Sequence, residues 1–230
     1  MEYDNLHKSD TQPRLFSLGQ ASSGIAELFP EIWTASEDLS SPNPTIRRLA
    51  LEFLEHSGAA RISPLVVYII ATRLDDTDLV VRMQVLKILG DVLAPDELGN
   101  SPPEMVTSYL TNNLSNMRTR QVYAILQALV QDINLDLQVI RILKTCPYAG
   151  NHLMEMANSR KVPLNMRRKA IWLVGQIGYL EAIPALERMQ IRMETRLTGQ
   201  QSMPFAPPIG IDDIDLLDDV ISTLGLLQSP

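Results

Sequence analysis

Residues 164–189, LNMRRKAIWLVGQIGYLEAIPALERM, contain the pattern that decides the fold. The first half predicts a helix, because apolar residues recur at three- and four-residue steps along one face. These residues are Ala170, Leu173, Val174 and Ile177. Gly175 and Gly178 predict the end of this helix, and Pro184 predicts the start of a second one. Neither helix can bury its apolar stripe alone, so the sequence predicts further helical pairs stacked beside this one.

Length and charge limit the classes of partner. The chain has 230 residues and a formal net charge of −7, which argues against a general affinity for nucleic acid. Residues 1–24 lack the apolar core of a signal peptide, and the apolar run at 65–71 is far too short to span a membrane. We therefore expect a cytoplasmic protein with neither a membrane nor a nucleic acid as partner.

The second helices of the predicted pairs share one motif. It occurs in four segments: IRRLALEFL (46–54), VRMQVLKILG (81–90), MRTRQVYAIL (117–126) and MRRKAIWLVG (166–175). In each segment an apolar residue is followed by an arginine: Arg47, Arg82, Arg118 and Arg167. The steps between these arginines are 35, 36 and 49 residues. A period of this size with two helices per unit is typical of α-solenoids, and the longer third step predicts one insertion.

Two of these segments resemble the HEAT-repeat family, namely VRMQVLKILG and MRRKAIWLVGQIG. LEAIPALERM is similar to the first helix of the short, phycobilisome-lyase-like subtype of that family. The resemblance implies an all-α fold, an α-solenoid of about five HEAT-like helical hairpins over residues 24–230. It also implies that Arg47, Arg82, Arg118 and Arg167 form a structural ladder, in which each arginine bonds to the adjacent repeat.

Two segments fall outside the helical pattern. The polar residues 1–23 predict a flexible N-terminal arm. Within the last repeat, the prolines between residues 199 and 211 predict a Pro-rich loop, which serves as a spacer or as a docking segment.

No arrangement of residues predicts chemistry. His7, His56 and His152 are isolated, and no metalloprotease, phosphate-binding or nucleophile-elbow motif is present. The lone cysteine, Cys146, excludes an internal disulfide and is expected to be buried. We therefore expect no catalytic residue, no metal site and no cofactor.

An acidic cluster follows the Pro-rich loop. It comprises Asp212, Asp213, Asp215, Asp218 and Asp219. Their spacing does not match a calcium loop, and carboxylates in the first turns of a helix are favoured by its dipole. If the helices stack in order, this cluster would come close to Arg167, Arg168 and Lys169.

A partner surface is predicted from helical phase. The residues two and five positions after each ladder arginine point away from the expected core, toward the concave face of a solenoid. Aromatic and cationic residues in this set are frequent interface anchors. They are Lys87, Arg120, Tyr123, Lys169 and Trp172. We expect them to bind another protein or a peptide, with a preference for an acidic segment. The alternative for Trp172 and Tyr123 is packing on a neighbouring helix.

Two functions follow from these expectations. The favoured one is a non-catalytic protein-binding scaffold or adaptor that uses the concave face of the solenoid. The resemblance to the lyase-like subtype implies the alternative, a bilin lyase/isomerase-like protein that handles a cofactor.

Overall fold

The computed structural model describes residues 29–96, 98–201 and 211–229. Within these ranges the chain forms twelve α-helices and no strand, so the predicted all-α class is confirmed. The helices are α1 (Pro30–Asp38), α2 (Pro44–His56), α3 (Ala59–Ile62), α4 (Pro64–Ala71), α5 (Leu79–Val92), α6 (Glu104–Leu114), α7 (Thr119–Gln131), α8 (Asp136–Lys144), α9 (Ala149–Asn158), α10 (Leu164–Ile177), α11 (Ile183–Gln201) and α12 (Ile211–Gln228). None of these described helices is long and apolar enough to cross a membrane. The predicted arm of residues 1–23 lies outside the described ranges.

Short polar side chains begin several of these helices. The side chain of Asn43 accepts a hydrogen bond from the backbone N–H of Thr45 at 2.9 Å, and Asp78 accepts one from Val81 at 3.0 Å. Each bond satisfies an N–H group that has no partner within the helix. The starts of α2 and α5 are therefore decided by local sequence.

The second helices of the predicted pairs lie side by side in chain order. Helix α2 packs on α5, α5 on α7, α7 on α10, and α10 on α12. The apolar residues of α5 that recur at three- and four-residue steps are buried: Val81, Val85, Ile88 and Leu89. In α10, Ala170, Leu173 and Val174 are buried too, while Ile177 is half-buried. The apolar periodicity of these two helices thus places the core correctly.

The burial of helix α2 matches its apolar pattern only in part. Ala50 and Leu54 are buried as that pattern predicts, but Phe53 is 42% exposed. Arg47 is buried as well, and its guanidinium meets the carboxylate of Asp76 at 2.6 Å. The inward side of α2 therefore contains an ion pair beside its apolar residues.

The glycines of α5 and α10 have two different roles. Gly178 ends α10 as predicted, in the left-handed conformation with a φ of 72°. Gly175 lies inside α10, so the prediction that it ends this helix is wrong, and Gly90 lies inside α5 in the same way. A Cβ at Gly90 would overlap the Cβ of Gln138 in α8, and one at Gly175 would lie 3.1 Å from Leu226 in α12. Both glycines permit close helix packing.

The long third step of the repeat contains helix α8. It packs on α5, α7 and α10 and so lies across three helices of the row. The Pro-rich loop predicted for residues 199–211 is shorter than expected, since α11 continues to Gln201 and α12 already begins at Ile211. Residues 199–201 contain no proline and retain the N–H groups that a helix needs. The remainder of that loop lies outside the described residues.

Replacement by alanine should change the free energy of unfolding in opposite directions at two helical glycines. Gly90→Ala should destabilise the protein by about 1–3 kcal/mol, because the new methyl group forces α5 and α8 apart. Gly225→Ala in α12 should instead stabilise it by about 0.5–1 kcal/mol, because no heavy atom lies within 4 Å of the new Cβ and alanine favours helix. Urea unfolding followed by circular dichroism measures both values. Equal stability of the two variants would contradict the close packing of α8 on α5.

Candidate functional site

The four arginines of the predicted ladder do not repeat one set of contacts. Arg47 is buried and binds Asp76, and buried Arg167 donates from Nε to the carbonyl oxygen of Ala157 at 3.0 Å. Arg82 donates to the side chain of Gln127 in α7 at 3.1 Å. Arg118 is exposed and precedes the first turn of α7. Three of the arginines thus contact a neighbouring element. The acceptors named here are a carboxylate for Arg47, a side-chain amide for Arg82 and a backbone carbonyl for Arg167.

The cations of the predicted partner surface all form ion pairs within the chain. The pairs are Lys87 Nζ with Glu55 at 2.8 Å, Arg120 Nε with Asp75 at 3.1 Å, and Lys169 Nζ with Asp136 at 2.7 Å. The hydrogen bond to Glu55 raises the pKa of Lys87 above its usual value. These cations therefore stand beside carboxylates of their own chain, which reduces their attraction for an acidic segment.

The two aromatic residues of that surface are half-buried. Tyr123 in α7 and Trp172 in α10 both pack against the hydrophobic core, so packing on neighbours accounts for part of each ring. The predicted surface residues lie on α5, α7 and α10, helices that α8 also contacts. Lys169 and Trp172 line a common cleft.

That cleft, which we name the Trp172 cleft, has a volume of about 390 Å³. Its lining residues come from α7, the turn after it, α10 and α12. They are Leu129, Val130, Ile133, Leu164, Asn165, Arg168, Lys169, Trp172 and Asp219. Ile133 is 72% exposed, so a large apolar side chain reaches the solvent at the rim. The sequence did not indicate that Leu129 and Val130 of α7 line this cleft, because their position beside α10 depends on how the helices pack.

Two ion pairs hold the charged side chains of the Trp172 cleft. Lys169 Nζ lies 3.9 Å from the centroid of the Trp172 ring, a cation–π contact, while also pairing with Asp136. Arg168 Nε lies 2.6 Å from Asp219, and this hydrogen bond raises the pKa of Arg168. The contact expected between the acidic cluster and α10 is confirmed by this pair. Apolar residues, among them Leu129, Val130 and Leu164, complete the lining of the cleft.

The described residues bring one histidine, one hydroxyl and one carboxylate together and form no metal-binding cluster. The hydroxyl of Thr119 lies 2.9 Å from His152 Nδ1 and 3.4 Å from Glu155. Both groups contact the same hydroxyl, whereas a proton relay needs the carboxylate on the second ring nitrogen of the histidine. Cys146 is buried, as predicted. Across residues 29–96, 98–201 and 211–229, no group of three or more His, Cys, Asp or Glu residues could hold a metal ion.

No family model, curated protein or solved structure matches this chain. The HEAT-repeat resemblance and the five-hairpin solenoid therefore stay predictions.

The ladder arginines provide a second test of stability. Arg47→Met should cost about 3–5 kcal/mol, because it leaves the buried carboxylate of Asp76 without its counter-ion. Arg82→Met should cost only about 1 kcal/mol, because its partner Gln127 is uncharged and Arg82 is only half-buried. Both residues occupy the same position relative to their helix start, which makes the second variant a matched control. If chemical denaturation showed equal losses in the free energy of unfolding for the two variants, the larger contribution expected from the Arg47–Asp76 pair would be wrong.

Proposed function

We propose that this protein is a non-catalytic scaffold or adaptor that binds a segment of another protein. In this proposal an apolar side chain of the partner enters the Trp172 cleft. The main support for this proposal is the exposed apolar surface of the Trp172 cleft, which Ile133 and the half-buried ring of Trp172 line together. Large apolar side chains at the centre of a concave surface, with charged groups at its rim, are typical of binding hot spots.

The size of the cleft suits an anchoring side chain. Its volume of about 390 Å³ lies near the lower end of the range for ligand pockets, roughly 300–1,000 Å³. An aromatic or branched side chain placed against the Trp172 ring would gain its affinity from removing apolar surface from water. Leu164 and Val130 would cover that side chain from α10 and α7.

Charge favours an apolar anchor over an acidic one at this cleft. An acidic segment that approached Lys169 or Arg168 would have to compete with Asp136 or Asp219, which already contact them at 2.7 and 2.6 Å. The free energy lost when such a pair breaks is about equal to the free energy gained from the new pair. The expected preference for an acidic segment is therefore not assigned to this part of the surface.

The order of the helices supports a scaffold role. Helices α2, α5, α7, α10 and α12 pack in chain order, as the helices of one layer do in a HEAT-like solenoid. Repeats of this kind expose extended surfaces that bind segments of other proteins. Helix α8 would then divide the surface and leave the Trp172 cleft open at one side.

A charge placed at the rim tests this proposal. Ile133→Asp should abolish capture of the partner, because an apolar anchor cannot lose its hydration beside a carboxylate. The protein is immobilised, incubated with extract of its native cells, and washed at high salt, which weakens electrostatic contacts. The bound proteins are quantified by mass spectrometry for wild type and variant.

Leu180→Asp is the matched control. Leu180 and Ile133 each begin a three-residue 3-10 helix, Leu180–Ala182 and Ile133–Leu135, and they are 61% and 72% exposed. The control should keep the same stoichiometric partner as wild type. Loss of that partner with both variants, or with neither, would contradict binding at the Trp172 cleft.

A further inference from the structure

A second cleft, of about 630 Å³, lies between the end of α9 and helix α11. We name it the arginine cleft, because the described residues that line it include five arginines and no carboxylate. The arginines are Arg160, Arg167, Arg188, Arg192 and Arg196. In a chain with a formal net charge of −7 this is a strong local excess of positive charge. Ala185, Met189 and Met193 supply apolar surface between the cations.

Unlike the cations of the Trp172 cleft, three of these arginines have no carboxylate partner among the described residues. Among the residues that the structure describes, none forms an ion pair with Arg160, Arg188 or Arg192. Arg192 is held by uncharged acceptors, since it donates to the side chain of Asn158 at 3.3 Å and to the carbonyl oxygen of Arg188 at 3.2 Å. Its guanidinium is therefore positioned at the cleft while its charge stays uncompensated.

The acidic residues of α11 bond to side chains that do not line the cleft. Glu187 accepts a hydrogen bond from Gln228 of α12 at 3.3 Å, and Glu194 accepts one from Gln190 at 2.8 Å. Arg188, Arg192 and Arg196 follow one another at four-residue steps and so share one face of the helix. Like charges at this spacing destabilise a helix, and a bound anion would offset that repulsion.

The spacing of the arginines indicates the form of the ligand. Four residues of an α-helix rise about 6 Å, so the three arginines of α11 make a row with about that repeat. Alternate residues of an extended chain lie on one side, about 6.6–6.8 Å apart. A guanidinium matches a carboxylate with two parallel hydrogen bonds. An extended chain with acidic residues at alternate positions would thus present one carboxylate to Arg188 and the next one to Arg192.

We propose that the arginine cleft binds an extended segment of a partner protein in which every second residue is acidic. Nucleic acid fits less well, because the net charge of the chain repels a long polyanion and the described residues that line the cleft include no aromatic side chain for base stacking. This site goes beyond the scaffold function proposed above, and the described lining residues of the two clefts do not overlap.

Fluorescence anisotropy of the full-length protein tests the proposal. The probe is a short fluorescein-labelled peptide of repeated Glu-Thr, which is acidic at every second residue and favours an extended form. A peptide with the same residues arranged as a Glu block and a Thr block controls for net charge. We expect the repeating peptide to bind more tightly than the block peptide, with an affinity that falls as salt rises.

The variant Arg188→Gln/Arg192→Gln should weaken binding of the repeating peptide by about tenfold or more, since two charge-assisted pairs are lost. Arg118→Gln/Lys144→Gln removes the same charge from two exposed positions that do not line the cleft and should leave the affinity unchanged. Ile133→Asp should also leave it unchanged, so that failure of this site and failure of the Trp172 cleft are distinguishable. Equal binding by both double variants, equal binding of both peptides, or tighter binding of a single-stranded oligonucleotide would overturn the proposal.

Discussion

The structure depends on one constraint, which is that each helix has an apolar face that only other helices can cover. Helix α10 lies at the centre of this packing, in contact with α7, α8, α9 and α12. Its buried residues include Ala170 and Gly175, and a Cβ at Gly175 would lie only 3.1 Å from Leu226 of α12. Two of the surfaces that remain open are the Trp172 cleft, where α7, α10 and α12 meet, and the arginine cleft, between the end of α9 and α11.

Ion pairs within the chain decide the chemistry of those open surfaces. At the Trp172 cleft, Asp136 and Asp219 neutralise the cations and leave an apolar concavity between them. At the arginine cleft, Arg188 and Arg192 have no such partner among the described residues. One chain thus carries two clefts of opposite character, one suited to an apolar anchor and the other to carboxylates.

Local chemistry explains which features could be predicted from the sequence. Helix starts at Asn43 and Asp78 depend on a side chain and a backbone N–H two or three residues later, and the stripe of α5 depends only on periodicity. The role of Gly90 could not be predicted, because it requires Gln138 of another helix. The pairing of Lys87 with Glu55 could not be predicted either, because it also joins two helices. The sequence shows the four-residue spacing of the α11 arginines but not that Arg160 lies beside them.

A partner protein that binds at the Trp172 cleft through an apolar anchor should cover the backbone segments that line this cleft. Hydrogen–deuterium exchange of the protein, measured with and without the captured partner, maps the covered backbone. We expect slower exchange in residues 129–135 and 164–172 when the partner is bound. Unchanged exchange in both segments, with protection confined to other helices, would mean that the partner binds elsewhere.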